Sequence, residues 1–132
     1  MPTFLFNKII REKFLYKLLE QEGTYTSTSL THDQAIQELK LKLKEEAQEI
    51  SETLSTSDML EGLSDILAIV EGLLTAASLT MKDLSSACEA KKAARGKLRI
   101  YEKILTVSMP SNDNFHDTIT ELRSSPQRYP EL

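Results

Sequence analysis

Tryptophan is absent, cysteine occurs once, histidine twice, and glycine and proline four times each in 132 residues. The single Cys88 excludes an internal disulfide framework and suits a reducing, cytoplasmic compartment; in its helical setting it reads as a small apolar residue. Two histidines far apart, His32 beside a helix cap and His116 near the C-terminus, make a zinc site improbable. No basic surplus exists: the net charge is −4, which argues against a general nucleic-acid binder. A membrane span is not expected either. The longest apolar stretch, residues 63–79, is short for that purpose and contains Asp65 and Glu71. The apolar run at residues 4–6 stops at Asn7-Lys8, so no signal peptide is expected. Internal repeats and low-complexity tracts are also missing.

What is present is helical periodicity, enough for one domain with a single core. The pattern predicts four helices, at about residues 12–21, 33–54, 58–77 and 81–95. Thr31 with Gln34 and Thr80 with Asp83 read as capping boxes, Ser55-Thr56-Ser57 as a break that caps the third helix, and Gly96 as the residue ending the fourth. Beyond residue 105 the chain turns polar, with Pro110, Pro126 and Pro130; a short helix near residues 115–122 and mobile last residues are expected. The apolar arc of the third helix is roughly 160° wide against roughly 100° for a surface helix, which predicts a central element. A core this small is expected to be completed by a partner subunit.

Against that background the acids of the second helix stand out. Lys40, Lys42 and Lys44 precede Glu45, Glu46, Glu49 and Glu52, although a helix favours acids near its N-terminus and bases near its C-terminus. Ile36, Leu39, Leu43, Ala47, Ile50 and Leu54 form its apolar stripe. At 100° per residue Glu46 lies roughly 60° and Glu49 roughly 120° from the stripe's centre, while Glu45 and Glu52 point away. On the third helix Gly62 and Asp65 occupy the matching shoulder, roughly 60° and 120° from the arc through Leu60, Leu63, Ile66, Leu67, Ile69, Val70, Leu73 and Leu74. Acids one turn apart repel unless a cation lies between them, although a charge run is more often simply solvated.

The pattern E-x-x-E, a gap, then E-x-x-D, met here by Glu46-x-x-Glu49 and Gly62-x-x-Asp65, resembles the metal site of the MazG-related all-α nucleotide pyrophosphohydrolases, especially their phosphoribosyl-ATP pyrophosphohydrolase-like branch. Asn7-Lys8-Ile9-Ile10-Arg11-Glu12-Lys13, leading to Glu22-Gly23, is similar to that branch's opening N-K-L-V-R-D-K-I and E-G. Glu89-Ala90-Lys91-Lys92-Ala93-Ala94-Arg95-Gly96 resembles its closing E-K-R-x-x-R-G-G, with Lys97 where another glycine is usual. The matches run in order over about residues 5–105, so residues 1–105 are expected as the all-α domain and 106–132 as the tail. The first acid of the second motif falls on Gly62. Glu61, roughly 160° from the apolar centre, stands as an imperfect substitute, and a glutamate at 62 is expected to strengthen the site.

The resemblance implies a four-helix bundle-like fold completed as a homodimer or higher oligomer. It implies Mg²⁺, or Mn²⁺, held by Glu46, Glu49 and Asp65 with Glu61 beside them, and Glu45 or Glu46 serving the attacking water as base. Hard carboxylate oxygens suit those ions. Lys91 and Arg95, with Lys8, Arg11 and Lys13 in second place, are implied as phosphate-binding; by position alone, cations at a helix C-terminus also complement its dipole. The implied reaction splits a nucleoside triphosphate into monophosphate and pyrophosphate. The alternative is a catalytically impaired nucleotide-binding or structural member of the same group. No motif here reads a base or a sugar.

Overall fold

A computed structural model describes all 132 residues. It is all-α, with five helices and no strand: α1 Glu12–Glu20, α2 His32–Ser51, α3 Thr56–Ala76, α4 Met81–Arg95 and α5 His116–Arg123. The chain divides into two compact units, Met1–Arg95 and Gly96–Leu132.

Side chains written into the sequence start three of these helices. Thr31 Oγ1 accepts from the Gln34 amide at 3.2 Å and Gln34 Oε1 accepts from the Thr31 amide at 3.0 Å. Ser55 Oγ accepts from the Asp58 amide at 3.1 Å. Thr80 and Asp83 exchange the same reciprocal pair at 3.2 and 2.8 Å. Each such cap stabilises its helix by about 1 kcal/mol relative to alanine. Helix ends are equally local. Glu22 and Ser78 take left-handed φ values of 63° and 59°, closing α1 and α3 with paired reverse hydrogen bonds: Gly23 N to Leu18 O and Glu22 N to Leu19 O, Leu79 N to Leu74 O and Ser78 N to Thr75 O.

α2 ends at Ser51, three residues short of the expected 54. The cause is side-chain competition for its last carbonyls: Ser51 Oγ donates to Gln48 O at 2.6 Å and Thr53 Oγ1 to Ile50 O at 2.8 Å. Leu54 is therefore outside the stripe and fully exposed. A link of four residues then returns the chain as α3, antiparallel to α2.

This hairpin is the one extensive helix–helix packing in the chain. Two glycines of α3 set its closeness. A Cβ at Gly62 would stand 2.5 Å from Ile50 Cγ1, and one at Gly72 would stand 3.3 Å from Leu39 Cδ1. Leu39 and Ile69 are the two buried apolar residues, flanked by half-buried Ile36, Leu43, Ile50, Ile66, Val70 and Leu73. Only one side of the wide α3 arc is covered, since Leu60, Leu63 and Leu67 remain 65, 46 and 51% exposed. At the far end the chain bends by 108° between α3 and α4. One chain thus does not close a four-helix bundle. No single helix is long and apolar enough to cross a membrane.

Ahead of α1 the N-terminal segment makes a hook. Asn7 adopts φ 47°, and Phe6 stacks on Phe14 of α1 with ring centroids 5.8 Å apart. Asparagine tolerates this left-handed turn better than most residues. Between those points lie half-buried Ile9 and Ile10 and the cations Lys8 and Arg11.

The second unit begins at Gly96, whose φ of 76° ends α4, so residues 96–105 belong with the C-terminal unit and not with the helical one. The short helix expected near residues 115–122 is α5; Ile119 and Leu122 on it and Met109 ahead of it are half-buried. Arg123 pairs with Glu131 beyond it.

Candidate metal centre

Where α2 gives way to α3, the hairpin opens into a cleft of about 500 Å³. Its lining is apolar at Ile50 and at the bare backbone of Gly62, with the fully exposed Leu54 at its edge, and carries Glu46, Glu49, Glu52, Asp58, Glu61 and Asp65. Two successive helices project their acids into one space because Glu46 and Glu49 occupy one shoulder of α2 and Asp65 the matching shoulder of α3. Glu46, Glu49, Asp65 and Glu61, expected from the sequence, are all here.

Two further acids were not legible from helical periodicity. Glu52 was expected to point away, but a wheel applies only while the helix continues, and Glu52 is the residue after its end. Asp58 arrives through the first turn of α3, whose cap is Ser55. The signal available for both was the Ser55-Thr56-Ser57 break itself, which places a tight return beside the acids.

Glu46 is the least comfortable group in the cleft. Its Oε2 is buried and has no hydrogen-bond partner. Burial raises its pKa above the ordinary glutamate value, and the negative charges of Glu49 and Asp65 add to that, against a smaller opposing effect of Lys42. Something positive is needed at this oxygen, either a proton shared with Glu49 or a cation.

Two neighbouring acids, Glu45 and Asp65, already have cations. Glu45 faces Lys8, whose Nζ donates to Oε1 at 2.5 Å. That hydrogen bond, reinforced by the charge, lowers the Glu45 pKa and raises that of Lys8. Glu45, expected as base or outer partner, therefore does not line the cleft. Asp65 Oδ1 accepts from Arg11 Nη2 at 2.7 Å. With Asp65 turned to Arg11, no three carboxylates converge at metal-binding spacing. The donor set still fits a hard divalent cation, because its oxygens are carboxylate and one of them is buried without a partner.

Lys8 and Arg11 thus meet the acids directly, whereas the other expected phosphate contacts do not. Lys13 on α1 and Lys91 and Arg95 on α4 are exposed, form no ion pair, and do not line the cleft. Position 62 also departs from expectation. A side chain there would meet Ile50 at a distance real Cβ atoms do not show, so a glutamate cannot be added without shifting the Ile50 side chain or moving α2 from α3. Gly62 is a close-packing residue of the hairpin. Comparison of the chain with protein-family models, with curated proteins and with solved structures gave no match.

Proposed function

We propose that this chain is a metal-dependent nucleotide pyrophosphohydrolase of the MazG-like, phosphoribosyl-ATP pyrophosphohydrolase-like kind. The observation that carries the reading is the single cleft into which α2 and α3 turn Glu46, Glu49 and Asp65, with the orphaned Glu46 oxygen inside it. The ordered resemblance of the Asn7–Lys13 and Glu89–Gly96 segments adds weight.

Glu46, Glu49 and Asp65 would hold Mg²⁺ or Mn²⁺, with Glu61 and Asp58 on the same walls. Such an ion neutralises phosphate charge and lowers the pKa of a bound water. The chain's own residues do the rest. Glu46, with one oxygen buried and unpartnered in the cleft, is the carboxylate this reading assigns to take a proton from the attacking water. Water adds to the α-phosphorus, the bond from that phosphorus to the α–β bridging oxygen breaks, and the products are a nucleoside monophosphate and pyrophosphate. Arg11, paired with Asp65 of the cleft, would supply positive charge to the departing pyrophosphate, with Lys8 beside it on Glu45.

A homodimer or larger assembly belongs to this proposal. The uncovered α3 positions Leu60, Leu63 and Leu67 supply an apolar seam for a second copy.

A second reading is favoured by Gly62, which packing fixes as glycine where the resemblance calls for an acid. On that reading the chain binds nucleotides without turning them over. A panel of nucleoside triphosphates with Mg²⁺ or Mn²⁺, assayed for pyrophosphate, separates the two: release supports hydrolysis, binding without release supports the second. Glu49→Ala/Asp65→Ala is expected to lose Mn²⁺ affinity; unchanged affinity removes the site.

A further inference from the structure

The basic hook offers more than two surface ion pairs. Residues 1–11 carry only Lys8 and Arg11 as cations, and both side chains end on acids at or beside the same cleft. Their placement is built. The left-handed turn at Asn7 and the Phe6–Phe14 stack bracket the segment, while Ile9 and Ile10 anchor it between the two charges. Arg11 takes the very carboxylate, Asp65, that α3 contributes to the metal set, and leaves Glu46 and Glu49 on α2 without it.

We propose that Arg11 is an exchangeable counterion: it holds Asp65 in the metal-free protein, yields it to the incoming divalent cation, and then binds the polyphosphate of the substrate. The inference rests on the metal reading above and adds a positioning role for Arg11. With Asp65 Oδ1 held by Arg11 at 2.7 Å, no three acids stand at metal-holding spacing, so Asp65 has to turn to join Glu46 and Glu49, and a guanidinium beside the carboxylate repels an incoming dication. Both partners are partly solvated, with side chains 64 and 43% exposed, so the pair is weak enough to exchange. Lys8 stays on Glu45, outside the cleft, and keeps the hook attached while Arg11 moves. The released guanidinium, with its planar fork of donors, matches phosphate oxygens better than an ammonium would.

The test is calorimetric titration of the full chain with Mn²⁺, then with inorganic tripolyphosphate at saturating Mn²⁺, for the parent, Arg11→Ala and Arg11→Lys. Arg11→Ala is expected to bind Mn²⁺ about two- to five-fold more tightly, the range set by a surface ion pair, and tripolyphosphate more weakly. The Mn²⁺ gain should shrink as salt is raised. A gain in affinity is not what a merely damaged fold gives. Arg11→Lys should keep the parent's Mn²⁺ affinity and lose part of the tripolyphosphate affinity. Equal Mn²⁺ affinity in parent and Arg11→Ala overturns the exchange while leaving the metal site standing, as does unchanged tripolyphosphate binding. Absence of Mn²⁺ binding in every variant overturns both.

Discussion

Replacing Gly62 by alanine sets two effects of opposite sign against each other. A mid-helix glycine costs about 0.5–1 kcal/mol relative to alanine, so an exposed glycine in α3 would be improved by the change. Here the added methyl would stand 2.5 Å from Ile50 Cγ1 and 3.1 Å from Cδ1. Cγ1 moves only with χ1, which a β-branched side chain in a helix holds in one favoured well, so room for the methyl comes from a disfavoured rotamer or from local separation of α2 and α3. Overpacking of that kind costs about 1–3 kcal/mol. The collision wins, with a net loss of about 1 kcal/mol. Urea unfolding at fixed protein concentration reads this as a midpoint lowered by about 0.3–1 M for a slope of about 1–3 kcal/mol/M. The cycle with Ile50→Ala isolates the cause: without Cγ1 the same Gly62→Ala step should stabilise by the propensity term alone. A stabilising Gly62→Ala in the Ile50 background, or identical effects in both, would refute the close-packing account. Gly62→Glu carries the same collision and is expected to bring no gain in Mn²⁺ affinity.

Glu46→Gln is expected to stabilise the metal-free protein at pH 8, by an amount that fades as pH falls toward 4.5. The folded protein holds the Glu46 proton more tightly than the unfolded chain does, so the penalty is absent below the ordinary value of about 4.3 and grows as pH rises through the folded one. Urea midpoints across that range check it, and a stabilisation that increases with acidity would reverse the sign argument. Glu45, lowered by Lys8, contributes in the opposite sense, through stability lost as pH falls below about 4. For assembly, sedimentation velocity at about 50 μM should show a species larger than one chain, with Leu63→Asp/Leu67→Asp reducing it to a monomer of lower stability; a monomeric parent would leave the α3 seam to another occupant.

Much of the local structure was legible because its signals are short-range. The capping residues Thr31, Ser55 and Thr80 act within three residues of themselves, and each does what its spacing announces. The shoulder positions of Glu46, Glu49 and Asp65 follow from period alone and meet in one cleft. What was not legible depends on where a period stops or on groups far along the chain. Glu52 enters the cleft because α2 ends one residue earlier, a result of Ser51 and Thr53 taking its carbonyls. Arg11 reaches Asp65 across 54 positions, and no periodicity carries that information. Gly62 misled in the other direction. In sequence it is a missing acid, and only the approach of Ile50 shows it as the residue that lets the two acid-bearing helices come together.

That approach ties stability to chemistry in the hairpin. Carboxylates on α2 and α3 share a space only if the helices are close, and closeness concentrates negative charge that opposes folding. The opposition is handled at separate places: glycines at 62 and 72 with Ile50 and Leu39 hold the helices together, while Lys8 and Arg11 take charge from the acids at the rim. Neither device reaches Glu46 Oε2, which stays buried and unpartnered between them. On the metal reading a small divalent cation would meet Glu46 at that oxygen, in competition with the proton that its raised pKa favours. Metal affinity should therefore rise with pH through the raised Glu46 value, in the same range where the metal-free fold loses stability.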